Sequence, residues 1–349
     1  MSRLGPQVDV DVLVAGAGPV GLATALMAAR AGFEVAVVEP RNDPVDKACG
    51  EGLMPAAVAA LHRLGVEPAG RPFYGIAYVD AGSGRCARAA FSGGPGLGVR
   101  RTELHQMMAA AADAAGVHRI PGAVHDVRQL GGYVQAAGHR AHWLVAADGL
   151  YSPVRRELGL DCPPTGRPRY GLRRHFELAP WTDLVQVHWA DDAEAYVTPV
   201  SDSMVGVAVL TGVRGVTFEQ WLQQFPVLAA RLAGARPVSA VRGAGPLGQG
   251  SSRRVAGRVL LVGDAAGYVD ALTGEGISVG LAQAQAAVTC LAAGDPDGYE
   301  RAWVKVSRRS RRLTQAVLFA AQHRPLRSVL VPAAAKAPAV FAAAVDALA

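Results

Sequence analysis

The sequence predicts an α/β fold, built on a parallel sheet and interrupted by insertions rich in β-structure. Three observations lead to this prediction. Short apolar runs such as Val10 to Ala15 are typical of strands buried on both faces of a sheet. Helix-forming stretches alternate with these runs near both ends of the chain. Between them lie long stretches of turn residues and alternating side chains, which favour a second, separate sheet.

The first elements form a strand–helix–strand unit. Val10 to Ala15 predicts a strand, and Val20 to Ala31 predicts a helix that ends at Gly32. The apolar run from Val35 to Glu39 predicts the second strand. The crossover between two such parallel strands is right-handed in nearly all proteins, so we expect the helix to pack on one face of the sheet.

The middle of the chain alternates between β-rich stretches and helices. Arg71 to Gly98 and Tyr170 to Val213 predict strands and turns. Helices are expected from Thr102 to Ala115 and from Phe218 to Leu232, and a buried strand from Trp143 to Ala147. The two β-rich stretches therefore look like insertions that form a sheet of their own.

The last part of the chain returns to the first pattern. Arg258 to Val262 predicts a buried strand, Ile277 to Ala293 predicts a long helix, and the chain is helical and basic from Tyr299 onward. This order predicts a discontinuous first domain. We expect that domain to comprise residues 1–70, 97–165 and 252–295, with a second domain at 71–96 and 166–251 and a helical region at 296–349.

Composition excludes several classes of protein. Half of the 349 residues are hydrophobic and 18% are charged, which excludes a disordered chain. The net charge of +6 permits attraction to phosphates or anionic lipid, but it does not make nucleic acid the expected partner. The four cysteines form no CxxC pair, so we expect neither a zinc site nor a disulfide framework.

Localisation follows from the same features. The widely spaced cysteines suit a reducing cytosol. The first residues lack the ordered charged, apolar and small-residue regions of a signal peptide. No stretch approaches 18 uninterrupted apolar residues, because Lys336, Pro338 and Asp346 break the alanine-rich tail. We therefore expect a cytoplasmic protein without a spanning helix.

A glycine motif follows the first strand. Gly16, Gly18 and Gly21 form G-x-G-x-x-G, in which the first glycine permits a tight turn and the second lets the backbone approach a pyrophosphate. The third lets the helix pack closely on the strand. Glu39 ends the second strand 18 residues after Gly21, where a carboxylate can bind ribose hydroxyls. This motif predicts a dinucleotide site, and by itself it leaves FAD and NAD open.

Two further motifs carry a resemblance to a known family. The segment from Trp143 to Arg156 reads WLVAADGLYSPVRR, and the segment from Arg258 to Ile277 reads RVLLVGDAAGYVDALTGEGI. With the glycine motif, the chain resembles FAD-dependent oxidoreductases of the para-hydroxybenzoate hydroxylase and geranylgeranyl reductase superfamily, the group A monooxygenase-like flavoproteins. The resemblance implies a glutathione-reductase-type, Rossmann-like FAD-binding domain, a second β-sheet domain for the substrate and C-terminal helices.

The resemblance also implies which residues bind FAD. Asp264 is expected at the ribityl chain, the helix start near Ile277 at the flavin pyrimidine edge, and Arg101 at the phosphate and ribityl region. Arg41 is expected near the adenosine end, and Asp148 near the pyrophosphate. The implied cofactor-binding residues are Gly16, Gly18, Pro19, Gly21, Glu39, Arg41, Arg101, Asp148, Gly263, Asp264, Gly274, Gly276 and Ile277.

The loop from Asp43 to Pro55 contains the candidate residues nearest the flavin. It resembles the Cys-Gly-x-Gly-Leu segment of geranylgeranyl reductase relatives, which passes close to the isoalloxazine. Cys49 and Glu51 are therefore flavin-proximal candidates. An inert packing role for Cys49 stays open, because a reactive thiol needs an electropositive, partly exposed site; Lys47 could supply the charge.

No nucleophile triad, P-loop or paired histidine ligands are present, so the flavin must carry the chemistry and no catalytic side chain is assigned. The resemblance implies a monooxygenase of secondary metabolism that hydroxylates an aromatic or polyketide-like small molecule with NAD(P)H and O2. A flavin-dependent reductase of isoprenoid double bonds is the alternative. A flavin-binding cyclase or ligand-binding protein without net redox chemistry is a third possibility.

The substrate surface and the tail complete the predictions. Trp189, Tyr196 and Pro199 are candidates to line a site for a small hydrophobic or aromatic substrate, with plain core packing as the other interpretation. The tail from Arg301 onward combines basic residues with an apolar helical stripe. It either covers the core or makes peripheral contact with an anionic membrane.

Overall fold

The computed structural model describes residues 8–41, 44–164 and 166–349. Asp43, the first residue of the glycine-rich loop, and residues 1–7, part of the segment predicted to lack signal-peptide features, lie outside this range. The strands of the described residues are β1 Val10–Ala15, β2 Val35–Glu39, β3 Gly52–Leu53, β4 Arg71–Phe73, β5 Gly75–Asp80, β6 Cys86–Ala90, β7 Gly96–Gly98, β8 His118–Pro121, β9 Arg128–Leu130, β10 Tyr133–Ala136, β11 His139–Ala146, β12 Asp161–Cys162, β13 Tyr170–Glu177, β14 Val185–Trp189, β15 Ala193–Ser201, β16 Met204–Thr211, β17 Arg236–Pro237, β18 Arg242–Ala244, β19 Gly250–Ser251, β20 Val255–Ala256 and β21 Val259–Leu261.

The helices follow the same chain order. They are α1 Pro19–Arg30, α2 Pro55–Arg63, α3 Arg101–Ala114, α4 Pro153–Glu157, α5 Phe218–Leu222, α6 Pro226–Leu232, α7 Gly276–Ala292, α8 Gly298–Gln322, α9 Arg324–Lys336 and α10 Pro338–Asp346, with a 3-10 turn at Gly263–Ala266.

The first sheet has the order β20-β21-β11-β1-β2-β8, and β9 and β10 extend from β11 as a meander. The five strands from β21 to β8 are parallel, as the apolar runs predicted. Val12, Leu13 and Val14 of β1 are fully buried, because α1 and neighbouring helices cover the sheet. The carboxyl ends of β1, β2, β11 and β21 meet at one edge, where open parallel sheets bind ligands.

The second sheet, in the order β17-β13-β16-β15-β14-β5-β6, is built from the two predicted insertions. Its pairs are antiparallel except for β14 with β5. The short strands β3, β7 and β4 form a small sheet that joins the two larger ones. Gly98 makes this junction tight, because a Cβ there would lie 1.7 Å from the Pro199 carbonyl oxygen of β15.

One helix prediction is wrong in detail. The stretch from Phe218 to Leu232 forms two helices, α5 and α6, instead of one. Proline disfavours helical geometry in the residue before it and has no N–H to donate, so Pro226 can begin a helix but cannot continue one. Phe225 is accordingly non-helical, with φ −123° and ψ 67°.

The tail forms three helices, of which α9 and α10 pack on the second sheet. Val331, Phe341 and Val345 are buried in one hydrophobic cluster with Tyr78 and Trp189. The chain end is held as well, since the backbone N–H of Ala56 donates to the carbonyl oxygen of Ala349 at 2.9 Å. No single helix of the described residues has the length and apolarity to cross a membrane; the bent pair α9 and α10, at 104°, passes that test only together.

Candidate functional site

The glycine motif forms a tight cradle at the edge of the first sheet. Gly16 has φ +96°, and a Cβ there would lie 2.7 Å from the Ala147 carbonyl oxygen. A Cβ on Gly21 would lie 1.8 Å from the Gly16 oxygen. Beside Gly18, in contrast, only the Arg101 guanidinium comes within 4 Å. Pro19 begins α1, whose first N–H groups have no side-chain cap and can receive a phosphate.

Glu39 is fixed by the protein at the end of β2. Its Oε2 accepts from the Ala17 N–H at 2.8 Å, and its Oε1 accepts from Arg41 Nε at 2.6 Å. Burial opposes ionisation, but the hydrogen bonds from Arg41 and Ala17 outweigh it and lower the pKa of Glu39. Since Arg41 also donates through its backbone N–H and Nη2, ribose hydroxyls would compete with Arg41 for this carboxylate.

Arg155 joins the second motif to the third. Its side chain is 1% exposed and donates to the carbonyl oxygens of Leu150 and Ala265, each at 3.0 Å, and to the Asp161 carboxylate. The Ser152 hydroxyl caps α4 by accepting from the Arg155 N–H at 2.9 Å. The Asp-Gly motif and the Gly-Asp turn are therefore locked together by one buried guanidinium.

Asp148 has one free oxygen beside this junction. Its Oδ2 accepts from the Val154 N–H at 3.1 Å, whereas its Oδ1 is buried and has no hydrogen-bond partner among the described residues. Burial raises the pKa of Asp148. Arg101 Nε is a second buried polar atom without a partner in the described part of the chain. Orphaned buried polar atoms of this kind indicate an absent polar ligand.

Five charged groups from three parts of the sequence lie near one another here. Burial and the nearby cations Arg41 and Arg101 lower the pKa of Lys47, while Asp264 and Glu39 act in the opposite direction. Burial likewise raises the pKa of Asp264 despite Lys47 and Arg101. The three motifs thus lie within electrostatic range of one lysine.

Lys47 lies at a junction of the motifs that its sequence context did not predict. The sequence indicated only that Lys47 could supply positive charge near Cys49, which stays a prediction. Its Nζ lies 3.0 Å from the position a Cβ would take on Gly149 of the Asp-Gly motif. The signal that could have found it was the lysine in a glycine-rich loop directly after the Glu39 strand.

Hydrogen bonds hold the Cys49 segment, residues 49–53, against α3 and the second sheet. Glu51 is 4% exposed with φ +60°; its Oε1 accepts from the Arg101 N–H at 2.9 Å and its Oε2 pairs with His175 Nε2. The Thr198 hydroxyl donates to the Gly50 carbonyl oxygen at 2.8 Å. Both Glu51 oxygens therefore bind protein groups, and the residue holds α3 and β13 against the segment.

Cys49 itself is half-buried, and its Sγ accepts from the Glu51 N–H at 3.4 Å. It lies near Tyr268, whose pKa burial raises well above its usual value, with smaller contributions from Asp264, Asp270 and Cys49. The structure thus brings Cys49 to the turn that follows β21. No cysteine of the described residues is in a disulfide, and no cluster of three or more potential metal ligands occurs among them.

The turn from Gly263 to Gly276 is anchored at several points. The Gly263 N–H donates to Gln283 Oε1 at 2.8 Å, and Tyr196 donates its hydroxyl to the Leu272 carbonyl oxygen at 2.9 Å. Gly274 has φ +71°, and Gly276 and Ile277 begin α7, whose first turn has no side-chain cap. The uncapped N-terminus of α7 therefore lies next to Tyr268. The Tyr268 ring is 3.6 Å from the position that a Cβ on Gly276 would take.

Of the three substrate-lining candidates, one reaches this turn. Tyr196 does so through its hydrogen bond to Leu272. Trp189 is 4% exposed and packs edge-on against Tyr78, toward the tail helices. Pro199 is buried against Gly98 in the sheet junction.

These residues fit FAD. The open cradle beside Gly18, the uncapped start of α1 and the unpaired Arg101 Nε suit a dinucleotide phosphate, and the buried Asp148 Oδ1 can accept a hydrogen bond from a ligand hydroxyl. Asp264 and the α7 N-terminus lie farther along the same edge, where the resemblance places ribityl chain and flavin. The assignment of individual residues to parts of FAD stays a prediction, as do the domain boundaries.

Comparison with known proteins agrees with this site. The family model described as an FAD binding domain matches residues 9–189. The chain is 30% identical over 310 residues to the menaquinone reductase of Mycobacterium tuberculosis strain H37Rv, covering 78% of this chain and 74% of that protein. It is 26% identical over 307 residues to digeranylgeranylglycerophospholipid reductase 2 of Methanosphaera stadtmanae, covering 78% and 75%.

The fold is shared with a solved flavoprotein. The halogenase PltM, whose structure is in complex with phloroglucinol and FAD, superposes with a TM-score of 0.76 at 16% identity. The superposition covers 92% of this chain and 78% of that one. At this identity the likeness shows the fold alone.

Proposed function

Because this chain belongs to the FAD-binding domain family and is an FAD-dependent oxidoreductase, we propose that it reduces carbon–carbon double bonds in the isoprenoid chain of a lipid. Menaquinone and digeranylgeranylglycerophospholipid, which name two of its relatives, share a polyunsaturated isoprenoid chain. The sequence motifs favoured hydroxylation first and this reduction second. The order is reversed here because these relatives are named as reductases.

The observation that carries the proposal is the apolar lining next to the cofactor edge. Met54 and Leu272 are buried in one hydrophobic cluster, Tyr196 and Tyr268 pack against it, and the half-buried Cys49 lies within electrostatic range of Tyr268. A lipid chain gains free energy from such a lining, about 0.8 kcal/mol for each buried CH2 group. An unactivated double bond offers no polar handle, so apolar positioning is what its reduction requires.

The chain's own residues bind, orient and exclude water. Bound FAD supplies the two-electron transfer, and a pyridine nucleotide is the proposed external reductant. The Gly16 loop, Lys47 and Arg101 would hold the FAD phosphates, and the Glu51–His175 pair fixes the Cys49 segment against the second sheet. Cys49 Sγ and the Tyr268 hydroxyl lie where a proton can be held next to the apolar lining.

The test is product analysis with the purified holoenzyme. Under anaerobic conditions, NADH or NADPH and a polyprenyl quinone should yield a product that has gained two hydrogens by mass spectrometry. Cys49→Ala should lower this turnover by about tenfold or more. Cys162→Ala, a half-buried cysteine on β12, is the matched control and should leave turnover unchanged. A product unchanged in mass with every isoprenoid lipid tried would refute the proposal.

The same assay examines hydroxylation, the function first expected. In air, a phenolic substrate that stimulates O2 uptake and gains one oxygen atom would favour the monooxygenase. The Asp-Gly and Gly-Asp motifs, which resemble those of group A monooxygenases, favour this second candidate. If the isoprenoid lipid is not reduced in the anaerobic assay and O2 is not consumed in the aerobic assay, the results would favour a flavin-binding protein without net redox chemistry.

A further inference from the structure

The tail, residues 301–345, carries basic residues without acidic ones. Residues 301–345 contain nine Lys and Arg and no Asp or Glu, although the whole chain has 29 acidic residues and a net charge of +6. The rest of the chain is therefore net negative, and the positive excess lies entirely on α8 and α9. Arg301, Lys305, Arg308 and Arg312 recur at helical spacing along one exposed stripe of α8.

Most of this positive charge has no counter-charge in the protein. Lys305, Arg308 and Arg312 form no ion pair with any of the described residues. Three tail cations do form ion pairs: Arg301 with Asp295 at 3.9 Å, Arg324 with Asp192 at 3.7 Å, and Arg327, which is 7% exposed, with the fully buried Glu194 at 2.6 Å. The unpaired cations are exposed and free to attract an anionic surface.

The same helices expose large apolar side chains. Five of the ten exposed large hydrophobic residues of the described chain lie here. We call these five residues and the α8 stripe the tail patch; the apolar members are Val304, Phe319, Leu326, Val329 and Val340. Val340 is 70% exposed and Phe319 57%. Apolar side chains among unpaired cations are the composition of helices that lie in a membrane interface.

The opposite faces of α9 and α10 are fixed to the protein. Arg327 donates to the carbonyl oxygens of Ala193 and Ala321, at 2.6 and 2.8 Å, and Phe341 and Val345 are buried on the second sheet. A spanning arrangement would require breaking this buried network, which is costly. The helices are therefore built to lie on a bilayer and not to cross it.

The tail patch also connects to the candidate site. The hydrophobic cluster under α9 and α10 contains Val331 and Phe341 at one end and Tyr268 and Leu272 at the other. Between these ends lie Tyr78, Trp189 and Tyr196. An apolar path thus leads from the exposed helices toward the turn that holds the cofactor.

We propose that the tail patch docks the enzyme on an anionic lipid bilayer, with apolar side chains in the interface and arginines at the headgroups. This deepens the proposed function, on which the choice of a membrane lipid as substrate rests. The occupant is a bilayer because unpaired positive charge and exposed apolar side chains coincide on α8 and α9.

The experiment is vesicle flotation of the holoenzyme with vesicles of phosphatidylcholine alone or mixed with phosphatidylglycerol. We expect binding to the anionic vesicles, weaker by about tenfold on the neutral ones and at high salt. Arg308→Gln with Arg312→Gln, and separately Phe319→Gln with Val340→Gln, should each weaken binding by about tenfold. Arg128→Gln and Leu130→Gln, at exposed positions of β9, are matched controls and should bind like wild type.

Three outcomes would overturn the docking proposal: no binding to any vesicle, equal binding by patch variants and controls, or a wild-type dimer that the patch variants dissociate. Turnover of an isoprenoid substrate in detergent separates this proposal from the proposed function. Detergent turnover without vesicle binding removes the docking surface and keeps the reductase. Vesicle binding without turnover of any isoprenoid lipid keeps the docking surface and removes the reductase.

Discussion

Carboxyl groups in this protein take different charge states because their immediate partners differ. Glu39 has the Arg41 guanidinium in direct contact, and its pKa is lowered although it is buried. Glu275 is 9% exposed, and burial raises its pKa to about 7 because the hydroxyls of Ser310 and Thr273 and the more distant charge of Arg309 offset burial only in part. At neutral pH Glu39 is an anion, whereas Glu275 changes its charge near the start of α7.

This difference predicts a pH-dependent effect of Glu275→Gln. The unfolded chain ionises Glu275 near pH 4.5, whereas the folded protein keeps the proton until about pH 7. Wild-type stability therefore falls as pH rises through this window, and the glutamine variant should lack this fall. Above pH 7 the variant should be more stable by up to about 3 kcal/mol.

Urea unfolding of the holoenzyme on both sides of this pH window measures the effect. Glu34→Gln, at an exposed glutamate before β2, is the control and should follow wild type at every pH. Parallel pH curves for wild type and Glu275→Gln would mean that the Glu275 carboxyl ionises normally in the folded protein.

At the scale of elements, backbone contacts at two glycines decide how α1 meets the first sheet. The turn between β1 and α1 brings Gly21 onto the Gly16 carbonyl oxygen. On the other side of α1, a Cβ on Gly280 of α7 would lie 2.4 Å from Val20. Helix α1 is thus held between the sheet and α7 at distances that only glycine permits.

Gly21→Ala should therefore destabilise the protein and loosen FAD. The added methyl group would meet backbone at 1.8 Å, which forces α1 away from the sheet. We expect a loss of about 1–3 kcal/mol or more in the free energy of unfolding, measured by urea titration. FAD content after gel filtration should fall in parallel.

Gly93→Ala is the matched control, because nothing lies within 4 Å of its Cβ position and its φ is not in the left-handed region. It should leave both stability and FAD content close to wild type. If Gly21→Ala retained full stability and full FAD content, the tight packing of α1 on the turn would not hold the cofactor cradle.

At the scale of the whole molecule, one buried network joins elements that are far apart in sequence. Arg169 pairs with Glu194 at 2.7 Å and with Asp270 at 3.0 Å, and Arg327 of α9 pairs with the same glutamate. The second sheet, the cofactor-side turn and the tail are thereby tied together. The cofactor edge, where the first sheet meets these parts, depends on their common assembly.

Removing FAD should consequently lower the stability of the whole protein. A ligand that binds only the folded state stabilises it by mass action, and FAD contacts are predicted from all three motifs. We expect the purified protein to be yellow and its apo form to unfold at a lower temperature. Added FAD should restore the melting temperature in a concentration-dependent way, measured by differential scanning calorimetry, whereas FMN should restore less. Equal melting temperatures with and without FAD would contradict a shared site.

The sequence by itself determined the order of elements and the family. Alternating apolar runs and helix-forming stretches depend on local burial and helix propensity, which the sequence shows directly. Gly16, Gly18 and Gly21 are needed because a side chain at these positions would block the turn, the phosphate or the packing of the helix. Local signals also explain the wrong helix prediction. Pro226 interrupts the helix at one position, and the average helix propensity of the residues from Phe218 to Leu232 hides that interruption.

Only the tertiary structure decided what the charged residues do. Lys47 at the junction of the motifs, Glu51 on His175 and Arg327 on Glu194 are contacts between residues more than 100 positions apart or between separate motifs. Burial and proximity set the charge and the partner of each group, and both are properties of the folded chain. Periodicity can place a residue on a strand or helix, but it carries no information about which distant side chain it will meet.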